Sequence, residues 1–148
     1  EGAPKVIEFN VRFGDPETQP IMLRLKSDLV DIIEAALDGR LDQVSIAWDP
    51  RPALGIVLAA PGYPASPRLG GVIHGLEAPT AADVKVFHAG TLLDAQGRAV
   101  SAGGRVLTVC ALGQDVAAAQ RLAYEAARRL HFDGMFFRRD IGHRAIGR

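Results

Sequence analysis

The sequence changes character at residues 48–52, where Trp-Asp-Pro-Arg-Pro places two prolines close together. Proline interrupts both helices and central strands, so regular structure is expected to end on either side of this segment. Before it the clearest apolar pattern has a helical period, and after it apolar runs of strand length alternate with turns. We therefore predict an α+β protein in two parts, residues 1–47 and residues 48–148.

Composition and charge exclude several classes of protein. Apolar residues make up 48% of the chain and the formal net charge is +0, which fits a globular protein without an overall attraction to nucleic acid or membranes. The apolar run at 53–60 is too short to span a bilayer. The single cysteine, Cys110, excludes an internal disulfide and suits a reducing compartment. We therefore expect a cytoplasmic protein with no membrane partner.

The first part of the chain contains two helix signals. Asp15 is suited to be the N-cap of a helix whose first residue is Pro16. The segment 27–39 begins with a capping residue, Ser27, and ends at Gly39, a residue typical of helix C-termini. Its main apolar residues share one face of a helix: Leu29, Ile32, Ile33, Ala36 and Leu37. This spacing predicts a helix over 27–39.

The second part of the chain alternates apolar runs with turns and contains one helix signal. Strands are predicted at 53–60, 70–73, 84–90, 105–112 and 134–139. A helix is predicted over about 115–130, with Asp115 as its N-cap. The residues expected on its core-facing side are Val116, Ala119, Ala123, Ala126 and Leu130. The prediction for this part is a small β-rich domain with one helix.

Residues 5–13 have the pattern of a strand that ends at Gly14. Successive side chains of a strand point to opposite faces. One face would be apolar and would anchor the strand to a core, with Ile7, Phe9, Val11 and Phe13. The other face would carry Glu8, Asn10 and Arg12.

The polar face has two interpretations. An antiparallel strand with one solvent-exposed face alternates in this way, so the pattern alone does not require a site. Asn is disfavoured inside strands, however, so Asn10 needs a reason. The carboxylate of Glu8 and the amide oxygen of Asn10, about 7 Å apart along a strand, can converge on a hard divalent cation. Arg12, one step further, would meet an anion beside that cation.

The segment IEFNVRFGDPETQ (7–19) resembles the final catalytic strand of the ATP-grasp ligases. Its RFGDPETQ portion is similar to that of the glycinamide ribonucleotide synthetase (phosphoribosylamine–glycine ligase) family. The resemblance to the C-terminal portion of that family continues in LKSDLVDIIEAALDGRL (25–41), GIVLAAPGYP (55–64), VFHAGT (86–91), GGRVLTVCALG (103–113) and FDGMFFRRDIG (132–142). Other ATP-grasp ligases share the E-x-N pattern, but the GDPETQ and RRDIG segments disfavour a different member of that superfamily.

The resemblance implies a role for each candidate residue. Glu8 and Asn10 match the family's ligands for the Mg²⁺ or Mn²⁺ that bridges the ATP phosphates. Arg12 matches a catalytic position whose guanidinium faces the glycine carboxylate and the acyl phosphate made from it. Gly14 and Asp15 match the loop beside the amine-bearing substrate, 5-phosphoribosylamine.

The resemblance implies an ATP-dependent carbon–nitrogen ligase of purine biosynthesis. In the family reaction ATP phosphorylates glycine, and the amine of 5-phosphoribosylamine then displaces phosphate to form glycinamide ribonucleotide. Such phosphoryl transfer depends on positioning and on neutralising phosphate charge, which cations and arginine supply. Residues 1–47 would be the end of an ATP-grasp domain, and residues 48–148 a β-rich C-terminal domain. Most of the ATP site would then belong to a missing N-terminal part, and the chain alone would be inactive.

Two alternatives stay open from the residues alone. Asp15 could serve only as a helix cap. The chain could also be a stand-alone nucleotide- or RNA-binding module, because residues 128–148 hold six arginines against two aspartates. Within this tail FFRRDIGHR (136–144) interleaves aromatic residues with arginine, as single-strand binders do. The segment is short and isolated, which makes nucleic acid the less favoured partner.

Overall fold

The structure, a computed structural model, describes residues 2–78 and 80–146. Its mixture of helices and small antiparallel sheets confirms the predicted α+β class. Short 3-10 turns lie at Leu41–Gln43 and His143–Ala145. The main elements, in chain order, are α1 (Thr18–Arg24), α2 (Leu29–Leu37), β1 (Ala53–Ala59), β2 (Val84–His88), β3 (Thr91–Leu93), β4 (Ala99–Ser101), β5 (Arg105–Leu112) and α3 (Val116–Ala127).

The central sheet places β5 between β1 and β2, and both neighbours run antiparallel to it. A second sheet pairs β3 with β4. The pairing of β1 with β5 shifts near the start of β5: Leu58 pairs with Leu107 and Ala59 pairs with Arg105. Val106 is therefore an extra residue on β5, and the strand has a bulge there. The strands predicted at 53–60, 84–90 and 105–112 are confirmed as β1, β2 and β5.

The central sheet is covered by helices from both parts of the chain. α3 packs against β1 and β5, and α1 packs against the same two strands. Gly55 of β1 permits the close approach of α1, because a Cβ atom there would lie 3.2 Å from Pro20 Cγ and 3.2 Å from Cys110 Sγ. This double coverage explains why β5 has a continuous apolar sequence instead of an alternating one.

The packing of α3 follows its predicted face. The carboxylate of Asp115 accepts a hydrogen bond from the Ala118 amide at 2.7 Å, which confirms the predicted N-cap. Ala119, Ala123 and Leu130 are buried, and Val116 and Ala126 are half-buried against the same core. The small alanines let the helix lie close to the sheet, and Phe132, which follows the helix, is among the largest fully buried side chains.

Two of the predicted strands do not form. The segment 70–73 contributes one isolated bridge, between Val72 and Val100, and the segment 134–139 contributes one, between Phe136 and Ala59. Each segment begins at a glycine with a positive φ angle, Gly70 at +86° and Gly134 at +68°. These left-handed residues turn the backbone, so neither segment extends a continuous ladder of hydrogen bonds. The predicted strands at 70–73 and 134–139 are therefore wrong.

Helix α2 differs from its predicted form at its start and on its surface. Asp28, not Ser27, is the N-cap: the Asp28 carboxylate accepts from the Val30 amide at 2.7 Å, and the Ser27 hydroxyl accepts from the Ala47 amide at 2.8 Å. Gly39, with φ +67°, follows the helix end as predicted. The predicted apolar face is mostly uncovered in this chain, and Leu37 is 82% exposed.

The proline-rich junction is held by a partly buried ion pair. The carboxylate of Asp49 accepts hydrogen bonds from Arg51 Nε at 3.0 Å and Nη2 at 2.9 Å, and Arg51 Nη1 reaches Asp83 at 2.9 Å. Lys26 Nζ lies 3.4 Å from Asp49, and the Asp49 carbonyl accepts from Arg24. These contacts tie the C-terminal end of α1 to the start of the β-rich part. The division at residue 47 stays a prediction.

Candidate functional site

The segment with the predicted site residues is not a strand in this structure. Residues 2–13 make no ladder with another segment, and the side chains of Ile7 and Val11 are each 96% exposed. A strand needs hydrogen bonds to a neighbouring strand, and the described residues supply none for this segment. The strand predicted at 5–13 and its predicted apolar anchor are therefore wrong for this chain by itself.

The two candidate metal ligands nevertheless lie side by side. The Nδ2 atom of Asn10 donates a hydrogen bond to Glu8 Oε1 at 2.9 Å, and both residues are exposed. Two side chains that make this contact must project from the same side of the backbone. The spacing of two residues thus brings them together without a sheet.

All five candidate residues line one open pocket. Its wall includes Glu8, Asn10, Arg12, Gly14 and Asp15. Among the described residues, the guanidinium of Arg12 makes one long contact, from Nη1 to the neighbouring main-chain carbonyl at 3.4 Å. The Gly14 carbonyl accepts from the hydroxyl of the threonine that begins α1 at 2.5 Å and from its amide at 3.0 Å. The remaining lining residues are Phe13, Glu17 and Arg105.

Asp15 is not the predicted helix cap. Helix α1 begins three residues later at Thr18, and its N-cap position is taken by Glu17, which makes no side-chain capping bond. The Oδ2 atom of Asp15 instead lies 3.0 Å from Arg105 Nη2, and the Asp15 carbonyl accepts from Arg105 Nη1 at 3.3 Å. The interpretation of Asp15 as an N-cap is therefore wrong, because a long-range ion pair engages its carboxylate.

Arg105 is the pocket residue that the sequence analysis missed. Its position in the sequence is 90 residues from Asp15, so no local pattern connects the two. The available signal was modest: an arginine opens the mostly apolar run of β5, directly after two glycines. A charged residue at the end of a buried strand marks a point where the strand reaches solvent, which is where a site can form.

The polar groups of the pocket fit part of a metal site. A carboxylate oxygen and an amide oxygen are ligands that hard divalent cations prefer, and Glu8 and Asn10 bring one of each to the same place. The Asn10 amide would have to turn, because its NH₂ group now faces Glu8. Across residues 2–78 and 80–146, no group of three or more His, Cys, Asp or Glu side chains is placed to hold a metal ion. These two residues therefore supply only part of a coordination sphere.

Comparison with known proteins identifies the kind of domain to which this fold and pocket belong. Residues 53–144, which contain the β1–β5–β2 sheet and α3, match a family of synthetase C-terminal domains. The chain belongs to the family described as "Phosphoribosylglycinamide synthetase, C domain".

The chain is also similar to longer proteins. It is 63% identical over 147 residues to the phosphoribosylamine–glycine ligase of Xanthomonas axonopodis pv. citri, covering 99% of this chain and 34% of that protein. It is 57% identical over 148 residues to the phosphoribosylamine–glycine ligase of Yersinia pestis, covering 100% and 35%. The chain thus spans about a third of the length of the curated relatives it matches.

The fold is similar to that of a solved structure. A crystal structure of phosphoribosylamine–glycine ligase from Thermotoga maritima matches with a TM-score of 0.71 and 34% sequence identity, covering 95% of this chain and 34% of that one. The match includes almost the whole chain, so it extends beyond the residues of the family model. In the part of our chain that the structure describes, no helix is both long and apolar enough to cross a bilayer.

Proposed function

We propose that this chain is the C-terminal part of an ATP-dependent carbon–nitrogen ligase that makes glycinamide ribonucleotide in purine biosynthesis. The substrates would be ATP, glycine and 5-phosphoribosylamine. The observation that carries the proposal is the gathering of Glu8, Asn10 and Arg12 around one pocket. The names of the relatives, phosphoribosylamine–glycine ligase, support the same reaction. The single, buried Cys110 fits the reducing cytoplasm as the location.

Glu8 and Asn10 would hold a divalent cation, Mg²⁺ or Mn²⁺, through one carboxylate and one amide oxygen. When bound, such a cation neutralises charge on the oxygens of a triphosphate. Two protein ligands leave most coordination positions to phosphate oxygens and water, as is usual for Mg²⁺ at nucleotide sites. The exposure of both side chains fits this arrangement, because the phosphate groups have to reach the same face.

Arg12 would bind the carboxylate substrate. Within residues 2–78 and 80–146 its guanidinium has one contact, at 3.4 Å, which leaves most of its donors for a carboxylate or an acyl phosphate. In the proposed reaction an oxygen of the glycine carboxylate attacks the γ-phosphorus of ATP, and ADP leaves. The amine nitrogen of 5-phosphoribosylamine then attacks the carbonyl carbon, phosphate leaves, and an amide bond forms. Arg12 would stabilise the negative charge of the acyl phosphate between the two steps.

The partner of this chain would be the remainder of the same ligase. Soluble proteins rarely leave large contiguous apolar patches in water. Here Ile7, Phe9 and Val11 are all largely exposed, as is Leu37 of α2, and Ile33 is about half exposed. About two thirds of the relative's length lies outside the portion that this chain matches, and that part is the proposed cover for these side chains. It would also contribute the rest of the ATP site, so this chain alone would not catalyse the reaction.

The rival function, a stand-alone nucleotide- or RNA-binding module, receives less support. Part of its basic tail, residues 147 and 148, lies outside the described residues. Arg138 is bound to Asp140 through two hydrogen bonds, at 3.0 and 2.6 Å, which lower the pKa of Asp140 and compensate the positive charge of the arginine. Binding of single-stranded RNA that weakens steeply as salt rises would support the rival.

A chimeric ligase tests the proposal. It joins this chain to the Xanthomonas axonopodis relative in place of the portion that the chain matches. We expect glycine-dependent release of ADP from the chimeric ligase and none from this chain alone. Glu8→Gln should lower turnover of the chimeric ligase about 100-fold or more, because it removes a charged ligand of the cation.

The matched control is Glu125→Gln, which changes an exposed glutamate of α3 outside the pocket and should leave turnover unchanged. Circular dichroism would establish that each variant is folded. Near-normal turnover of the Glu8→Gln chimeric ligase at ordinary Mg²⁺ would contradict the ligand assignment. An inactive chimeric ligase that is folded would contradict the proposed function itself.

A further inference from the structure

Arg105 reaches the pocket from the start of β5, far from the other lining residues in the sequence. Its Nη2 atom lies 3.0 Å from Asp15 Oδ2, and its Nη1 atom donates to the main-chain carbonyl of Asp15 at 3.3 Å. One guanidinium thus contacts the side chain and the backbone of the same residue. The planar fork of arginine suits this two-point contact, which the single ammonium group of lysine cannot reproduce.

The backbone around Arg105 is placed to direct this side chain. The bulge at Val106 lies directly beside it, and bulges change the direction in which neighbouring side chains point. The Arg105 carbonyl accepts from the Gly90 amide at 2.9 Å, which ties the residue to the end of β2. Gly104 lies so close to the ring of Tyr63 that a Cβ atom there would overlap it. The backbone segment that carries the Arg105 side chain is therefore held in place by these contacts.

The turn that Arg105 contacts is otherwise held by local bonds. The Gly14 carbonyl accepts from the Thr18 amide at 3.0 Å and from the Thr18 hydroxyl. The Glu17 side chain folds over Gly14 and occupies the space of a Cβ atom there. The contact with Arg105 thus adds a long-range restraint to a turn that begins two residues after Arg12.

We propose that Arg105 is a positioning residue for binding of the amine substrate. It fixes Asp15 by pairing with Oδ2 and the main-chain carbonyl, which leaves Oδ1 to accept a hydrogen bond from an amine or hydroxyl of the phosphorylated sugar amine. The β-rich part of the chain thereby contributes to substrate binding through Asp15. The identity of the substrate rests on the proposed function, whereas the restraint on the turn does not.

Kinetics of the chimeric ligase test this inference. Arg105→Gln should raise the KM for 5-phosphoribosylamine about tenfold or more, because misplacing a substrate contact is costly, while the KM for ATP stays within about twofold. Arg105→Lys should recover only part of the loss. The double variant Arg105→Gln with Asp15→Asn should have a KM no higher than that of the more impaired single variant, because both changes disrupt the same contact.

The matched control is Arg98→Gln. It breaks another exposed Arg–Asp pair, with Asp94 at 2.8 Å, in the β3–β4 turn away from the pocket. Its kinetic constants should equal those of the unmodified chimeric ligase. An unchanged KM for the amine in Arg105→Gln, additive effects in the double variant, or a parallel loss for all substrates that follows a lower melting temperature would overturn the inference.

A second measurement needs no activity. Hydrogen exchange of the Thr18 amide in this chain should be faster in Arg105→Gln than in the unmodified chain, and unchanged in Arg98→Gln. Equal exchange in all three proteins would overturn the restraint on the turn. If the unmodified chimeric ligase were folded but inactive, the proposed function would fail, and the exchange result would still decide whether Arg105 holds Asp15.

Discussion

Asp49 and Arg51 form a bidentate ion pair, with Nε–Oδ1 and Nη2–Oδ2 distances of 3.0 and 2.9 Å, at the junction between the helical and β-rich parts. The Arg51 amide also donates to the same carboxylate at 3.0 Å. Asp49 is almost completely buried, and Arg51 continues to Asp83 beside β2. The two prolines that predicted an end of regular structure therefore lie within a well-connected polar cluster.

This pair predicts a pH-dependent stability. Hydrogen bonds from Arg51 lower the pKa of Asp49 well below its usual 3.8, so the folded state favours the ionised carboxylate. The contribution to stability is complete above the usual pKa and is lost as pH falls through the lower folded pKa. Asp49→Asn should therefore lower the free energy of unfolding at neutral pH, and the difference from the unmodified chain should shrink below about pH 4.

Urea unfolding at several pH values measures this difference. Asp38→Asn is the control, because it removes a pair with Arg40 in which both side chains are exposed. At neutral pH it should lower the free energy of unfolding less than Asp49→Asn does. A cost of Asp49→Asn that stayed constant from neutral to strongly acidic pH would contradict the assigned ionisation.

Asn10 should govern the cation requirement of the chimeric ligase. Asn10→Leu keeps a similar volume and removes the amide oxygen, so the Mg²⁺ concentration that gives half-maximal activity should rise about tenfold or more. Titration of activity with Mg²⁺ at saturating ATP provides the measurement. Gln114→Leu, at an exposed position before α3, is the control. An unchanged Mg²⁺ requirement would remove Asn10 from the ligand set.

Cys110 should be unreactive while the chain is folded. Its side chain is fully buried in β5, and burial raises the pKa of its thiol to about 12. Because the thiolate is the reactive form, a thiol reagent at about pH 8 should label the native chain only as slowly as the core opens. Labelling should become rapid and complete in denaturant. Rapid labelling of the native chain would contradict the packing of α1 against β5.

Because α3 lies close to the sheet, a larger side chain at one buried alanine should clearly lower the free energy of unfolding. Ala123 is fully buried, so Ala123→Leu should lower the free energy of unfolding by about 1–3 kcal/mol through overpacking. Ala117 lies on the exposed side of the same helix, and Ala117→Leu should have an effect within about 0.5 kcal/mol. Urea unfolding of both variants measures the contrast. Equal effects would place the helix differently on the sheet.

A charge placed at Val11 tests whether the remainder of the ligase covers this exposed side chain. In this chain Val11 is almost completely exposed, so Val11→Asp should change the free energy of unfolding by no more than about 0.5 kcal/mol. In the chimeric ligase the same change should strongly lower activity, because a charge would be placed where the remainder of the protein packs. Leu93→Asp, on the exposed strand β3, provides the comparison. Full activity of the Val11→Asp chimeric ligase would refute the proposed cover.

The elements that were predicted correctly are those whose sequence signals lie within the element itself. The apolar run 105–112 became β5 with the predicted bounds, and α3 has its predicted cap at Asp115 and its predicted alanine face. Hydrophobic period, caps and turn residues act over a few positions, so they can be recognised without knowledge of the rest of the chain. The side-by-side placement of Glu8 and Asn10 is of the same kind, since it depends only on a spacing of two residues.

Other features depend on groups that are distant in the sequence. The alternation in residues 5–13 predicts a strand, but a strand forms only where another segment completes its hydrogen bonds. The part of the chain that the structure describes provides no such segment there. Asp15 has the local chemistry of a cap, yet it binds Arg105 instead. The sequence by itself determined the local elements and the residues that face one another along them. Tertiary structure alone decided the partner of Asp15, because charges 90 residues apart meet only when the chain has folded.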